Sequence, residues 1–125
     1  MAAGDPIPPE TIIYRALPGR KYLTEDSTAP SEVAFLLKPA RDQWPDETYL
    51  SFGISVAGAA KGLTNVRHTC AIRVADIVGL NRNLTITEDE DPDKVRVSGM
   101  PLITQNEKVA LDVAKDLLGI SKMCP

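Results

Sequence analysis

The sequence predicts an α+β fold: a single small domain with a mixed or mostly antiparallel sheet of about five strands, a C-terminal helix and one or two short helices. Three observations predict it. Short β-branched and aromatic runs bounded by Pro or Gly recur along the chain. One longer segment near the end repeats its apolar residues at helical spacing. The resulting order (strand, small helix, strand, small helix, three strands, helix) is too uneven for a doubly wound βαβ repeat. A length of 125 residues suits one domain and leaves no room for two, and 43% hydrophobic with 25% charged residues is an ordinary globular balance. With 5% aromatic residues, the core has to be built mainly from Val, Ile, Leu and Ala.

The domain is expected over 11–120, between a flexible Pro-rich arm at 1–10 and a frayed tail at 121–125. Pro6, Pro8 and Pro9 remove backbone donors and hold the arm extended. Residues 11–16 are β-branched and aromatic, stop before Pro18-Gly19, and read as a strand. Alternation puts Ile12 and Tyr14 on one of its faces, Ile13 and Arg15 on the other. A polar loop follows at 21–30. Ser31 is placed to cap the apolar run 33–37, and Pro39 to end it. Val33, Phe35 and Leu37 suit a strand as well, and a short helix is the preferred reading.

Residues 40–47, with Trp44-Pro45-Asp46, read as a connection. The run 48–52 is a strand ending at Gly53, after which Ser55 caps a short helix through Ala57, Ala59, Ala60 and Leu63. Residues 67–74 alternate, with Cys70, Ile72 and Val74 opposed to Thr69, Ala71 and Arg73. A helical turn at 75–80 leads to two short strands, 84–87 and 95–98, joined by the acidic turn 88–93. The last helix is the clearest element. Asn106 caps it, Glu107 suits its positive end, Val109, Val113 and Leu117 form a stripe widened by Ala110, Ala114 and Leu118, and Gly119 is the expected stop.

Composition also bounds function. A net charge of -3, with 14 dispersed basic residues and Arg20-Lys21 the one adjacent pair, argues against nucleic acid as a partner. No run approaches the roughly 20 apolar residues of a membrane span. Residues 1–9 lack the basic start and apolar stretch of a secretory leader, so a cytoplasmic location is expected. Cys70 and Cys124 are too few for a disulfide scaffold, and Cys70 with His68 cannot supply the three or four ligands zinc requires. His68 lies two residues from Cys70, but the expected role of Cys70 is a small buried apolar residue.

The turn 88–93 holds five carboxylates, yet Pro92 interrupts it and it lacks the Gly of an EF-hand loop, so a solvated hairpin tip is expected. A contact for a basic partner is its secondary reading. Glycine-rich phosphate cradles are absent. Ser51, His68 and Asp76 form a nominal triad without the Gly-x-Ser-x-Gly elbow, and Asp76, Glu47 and Glu32 are carboxylates beside apolar runs with nothing to choose among them.

What remains is Tyr14-Arg15 on the first strand and Tyr49-Leu50-Ser51 opening a strand before a small helix. An Arg on an early strand can hold a phosphate through two donors, and a Ser on a neighbouring strand can orient a ribose hydroxyl. Ile13-Tyr14-Arg15-Ala16 and Tyr49-Leu50-Ser51 with Ala57, Ala59 and Ala60 resemble the RES-type toxins of the ADP-ribosyltransferase superfamily, over about a fifth of the chain. That resemblance implies NAD as cofactor, with Arg15 on the phosphates, Ser51 on the nicotinamide ribose and Tyr49 beside them as the catalytic set. Where that family carries a Gly-Gly-Arg-Trp-like segment, this chain has only Gly19-Arg20-Lys21-Tyr22, and the superfamily's late acid has no clear counterpart, since Glu88 is in the right half of the chain but sits in the acidic turn.

A second likeness runs through Ser31 to Phe35, Leu50-Ser51, Asp91-Pro92-Asp93 and Val95 to Gly99. It is to a group of small uncharacterised bacterial proteins and implies one domain and no mechanism. The expected function is therefore a small cytoplasmic accessory or regulatory protein acting by protein–protein interaction without a cofactor, in a bacterial toxin–antitoxin or mobile-element operon. The alternative is an NAD-processing toxin using Arg15, Tyr49 and Ser51.

Overall fold

β-Branched and aromatic runs become strands here because each can bury one face while the other meets a helix or solvent. The computed structural model describes residues 4–124. Its strands are β1 (Ile12–Leu17), β2 (Tyr49–Gly53), β3 (His68–Arg73), β4 (Thr85–Glu88), β5 (Lys94–Ser98) and β6 (Lys122–Met123). They form one sheet in the order β4-β5-β2-β1-β3-β6, every pairing antiparallel. Three α-helices accompany it: α1 (Val56–Ala60), α2 (Val74–Gly79) and the C-terminal α3 (Glu107–Ile120). The fold is thus α+β, with six strands against the expected five or so. The added strand is β6, two residues long and without any periodicity to read.

Register divides the sheet into two faces. Ile13 pairs with Ile72, Leu50 with Val97, Phe52 with Val95 and Ile86 with Val97, so these side chains share the core face. Val113, Ala114 and Leu117 of α3 and Phe35 of a 3₁₀ turn at Glu32–Phe35 close over them. The other face carries Tyr14, Gly53, Lys94, Ser51 and Arg96, and α1 lies across part of it. Gly53 permits that approach: a Cβ there would sit 2.1 Å from the Ala59 backbone nitrogen. Lys94 Nζ, beside Gly53, donates to the Gly58 carbonyl at 3.1 Å and ties α1 down.

The caps follow the sequence with two exceptions. Ser55 and Asn106 accept from the Gly58 and Val109 amides, at 2.9 and 3.1 Å. Ser31 caps nothing; its hydroxyl donates instead to the Lys21 carbonyl at 2.6 Å, and the segment it precedes is a 3₁₀ turn. Gly119 does not stop α3, which continues to Ile120 because Ile120 packs against the core and Ser121 terminates the helix by donating through Oγ to the Leu118 carbonyl.

The first and last described residues lie along the two sheet edges. Residues 1–3 of the expected arm, and residue 125 of the expected tail, lie outside the described residues. Within the arm, Gly4 N–H donates to the Glu88 carbonyl, Glu88 N–H to the Asp5 carbonyl, and Ile7 is buried beside β4. Within the tail, β6 pairs with β3. Among the described residues no helix is long and apolar enough to cross a membrane.

Candidate functional site

On β1 the alternation Ile13, Arg15, Leu17 points all three side chains to the core face, a charge between two buried aliphatics. Arg15 finds partners in the backbone. Its Nε donates to the Ala34 carbonyl at 2.9 Å and its Nη1 to the Ser51 carbonyl at 2.8 Å. Its guanidinium carbon lies 5.8 Å from the centre of the Phe52 ring. β1 and β2 register through one pair, Tyr14 with Gly53. Past it, the guanidinium rather than a ladder N–H meets the Ser51 carbonyl. Burial lowers the Arg15 pKa and Glu47 is the strongest influence opposing it; an arginine stays charged there.

Tyr49 and Ser51 belong to the other face, paired with Ser98 and Arg96. Arg15 therefore meets Ser51 through the backbone carbonyl and not the hydroxyl. Arg15 and Ser51 do line one cavity of about 210 Å³, with Glu47, Lys38, Lys61 and Lys94. Tyr49 lines the neighbouring one, of about 440 Å³, with Trp44, Pro39 and Pro45; Ser51, Lys38 and Glu47 border both. Glu88 lies three strands away from Arg15 in the sheet and lines neither cavity.

The remaining sequence candidates separate. Ser51 and His68 are on opposite faces, and Asp76 on α2 pairs with Arg73 at 3.2 Å, so the nominal triad does not assemble. Cys70 has no exposed surface, and burial pushes its thiol up to about 12, the reverse of what a nucleophile needs. In the acidic turn, Lys61 Nζ bridges Asp91 and Asp93 at 3.1 and 3.0 Å. Among the described residues no group of three or more His, Cys, Asp or Glu side chains could hold a metal ion.

Compared with family models, curated proteins and solved structures, the chain matches none.

Two features escaped the sequence reading. The first is the loop 38–47, of which 40–47 was expected to be a plain connection. Lys38 N–H donates to Glu47 Oε1 at 2.6 Å, Glu47 N–H returns to the Lys38 carbonyl at 2.9 Å, and Ala40 N–H donates to Asp46 Oδ1 at 2.6 Å. Arg41 and Trp44 exchange both backbone hydrogen bonds at its tip, with Asp42 at φ 49° making the turn. This brace displays Trp44 at 64% exposure. Its signal was the lone Trp between Pro39 and Pro45. The second is Glu88, which ends β4 on the core face rather than standing in a solvated turn, and is 7% exposed. Its spacing of two from Ile86 was the signal.

Proposed function

We propose that this protein is a small accessory or regulatory domain acting by protein–protein contact, and that the Trp44 loop is its contact surface. The observation that carries the reading is an exposed Trp on a loop braced from both ends. Tryptophan is usually largely buried, and at interfaces it dominates binding energy. A loop fixed before binding loses less freedom on association, so the hydrogen bonds of 38–47 favour recognition. The adjoining cavity, bordered by Tyr49, Pro39 and Pro45, offers the aromatic and apolar surface that interface cores favour. The setting, following the sequence likeness, is the bacterial cytoplasm, with the partner encoded beside this chain in a toxin–antitoxin or mobile-element operon.

The test is co-purification with the product of the adjacent gene. Trp44→Ala is expected to weaken that complex by about thirtyfold or more, as hot-spot residues do, while the urea midpoint of the isolated domain stays unchanged. Trp44 is the single Trp, so its fluorescence should shift to the blue when partner is added. A chain that purifies alone, or a Trp44→Ala variant that retains its partner, counts against the reading. In the NAD-processing alternative Arg15 would hold the phosphates with the donors left after Nε and Nη1 have met the Ala34 and Ser51 carbonyls. Heat on titration with NAD that Ser51→Ala abolishes would put that alternative first.

A further inference from the structure

At the end of β2 away from Trp44, Glu88 presents a chemical problem. Its side chain lies on the core face beside Val95, and its Oε2 is buried without a hydrogen-bond partner. A carboxylate oxygen withdrawn from water and left unpaired is among the most costly arrangements in a fold, and an orphan of this kind calls for a missing partner. Among the described residues the nearest cations turn elsewhere. Arg96 extends from the opposite face, where its Nη2 pairs with Asp89 at 3.0 Å and its Nε is itself buried without a partner, and Lys94 Nζ donates to the Gly58 carbonyl.

Glu88 lines a cavity of about 270 Å³ whose walls are Ile7, Pro8, Ile54 and Pro92. Asp89 and Glu90 also line it, so among the described residues carboxylates outnumber the one lining cation, Lys94. A bare divalent ion demands several converging oxygens, and no such group of side chains exists among the described residues. The apolar walls ask for carbon. A positive head that donates hydrogen bonds, carried on an aliphatic stem, answers both the orphan oxygen and the walls.

We propose that this cavity binds an alkylammonium group, its nitrogen on Glu88 and its methylenes along Ile7, Pro8 and Ile54. A free aliphatic amine and a lysine side chain share this chemistry. The site lies at the opposite end of β2 from the Trp44 loop and is independent of the function proposed above.

The test is an amide chemical-shift titration of the full chain with n-pentylamine, with 1-pentanol as the uncharged control. Pentylamine should shift the amides of Ile7, Ile54 and 88–95 to saturation, and pentanol should bind about tenfold more weakly or worse, the usual margin for a charge-assisted hydrogen bond. Glu88→Gln keeps the shape, removes the charge and should lose a similar factor. Ile54→Lys, at a 47% exposed wall position, leaves Glu88 intact and supplies an ammonium from the chain itself; it should also abolish binding. Equal binding of amine and alcohol, amine binding unchanged in Glu88→Gln, or no shifts with pentylamine would each overturn the proposal. A capped lysine that binds as pentylamine does assigns the cavity to a partner's lysine side chain. One that is excluded while pentylamine binds assigns it to a free amine.

Discussion

Arg15 and Glu88 point to the same face of one sheet, each beside aliphatic neighbours, and the fold treats them differently. Arg15, on a central strand, is met by the Ala34 and Ser51 carbonyls and the Phe52 ring. Glu88, on the strand next to the chain's own N-terminal segment, keeps its backbone bonded to Gly4 and Asp5 but leaves Oε2 without a donor. The difference separates a charge that holds structure from a charge held ready for something else. A guanidinium offers five donors in a fixed plane, so backbone carbonyls around a parted strand pair can use it as a rivet. A carboxylate accepts only, and no donor among the described residues meets this oxygen.

The largest expected effect breaks the Arg15 side of this comparison. Arg15→Ala removes two charge-assisted hydrogen bonds and leaves two carbonyls unpartnered, a loss of about 3 kcal/mol in urea unfolding. Arg15→Lys should recover only part, since one ammonium cannot reproduce the planar fork. A loss in Arg15→Ala below about 1 kcal/mol, the size of an ordinary surface change or less, would mean the rivet is idle and Arg15 is free for a ligand.

Cys70 pairs with Arg15 across β1 and β3 and sharpens the same side of the comparison. Its thiol stays neutral in the folded chain up to about 12, against a usual value of 9.0. Desolvation is the first cause, and the Arg15 charge opposes it. The folded pKa is the raised one, so this contribution to stability is complete below pH 9.0 and is lost as pH climbs towards about 12. Within that window stability should fall by about 1.4 kcal/mol per pH unit from this group alone. Urea midpoints between those limits measure it, with Cys70→Ala as the control lacking the slope. Equal slopes in the two proteins would show that the thiol is not held neutral.

The same two charges show how far the sequence could be read. Alternation put Arg15 with Ile13 and apart from Tyr14, and that pairing of residues to faces is what the structure has. Nothing in the 11–16 run says which face is the core, because Ile12 and Ile13 are equally apolar; the packing of α3 decides it, leaving Ile12 48% exposed. Helix α3 itself was legible from its stripe and its Asn106 cap, since both are local, whereas its end depended on where Ile120 packs. The Tyr14-Arg15 and Tyr49-Leu50-Ser51 motifs were legible as words and not as geometry. Their relation rests on the β1–β2 register, a long-range property that puts the Ser51 carbonyl and not its hydroxyl on Arg15. Trp44 was visible, but its display rests on the Lys38–Glu47 and Ala40–Asp46 bonds, which short-range patterns do not encode.

Glu88 carries the smallest stability effect and the sharpest sign. If Oε2 is buried as an unpaired charge, Glu88→Gln removes that charge at constant volume, and the domain should be as stable as before or up to about 1 kcal/mol more so, because isosteric replacement of uncompensated buried charge is neutral or stabilising. If instead a cation of the chain pairs with it, Gln breaks that pair and stability falls by about 3 kcal/mol. Urea unfolding without added amine distinguishes the two by sign, which makes the measurement robust to its small size. Saturating pentylamine gives the converse: a raised midpoint for the parent chain and none for Glu88→Gln, since a ligand stabilises only the state that binds it. A parent chain that gains stability from neutralising Glu88 by either route, while Arg15 cannot be neutralised without loss, would tie the two charges to opposite purposes on one face of one sheet.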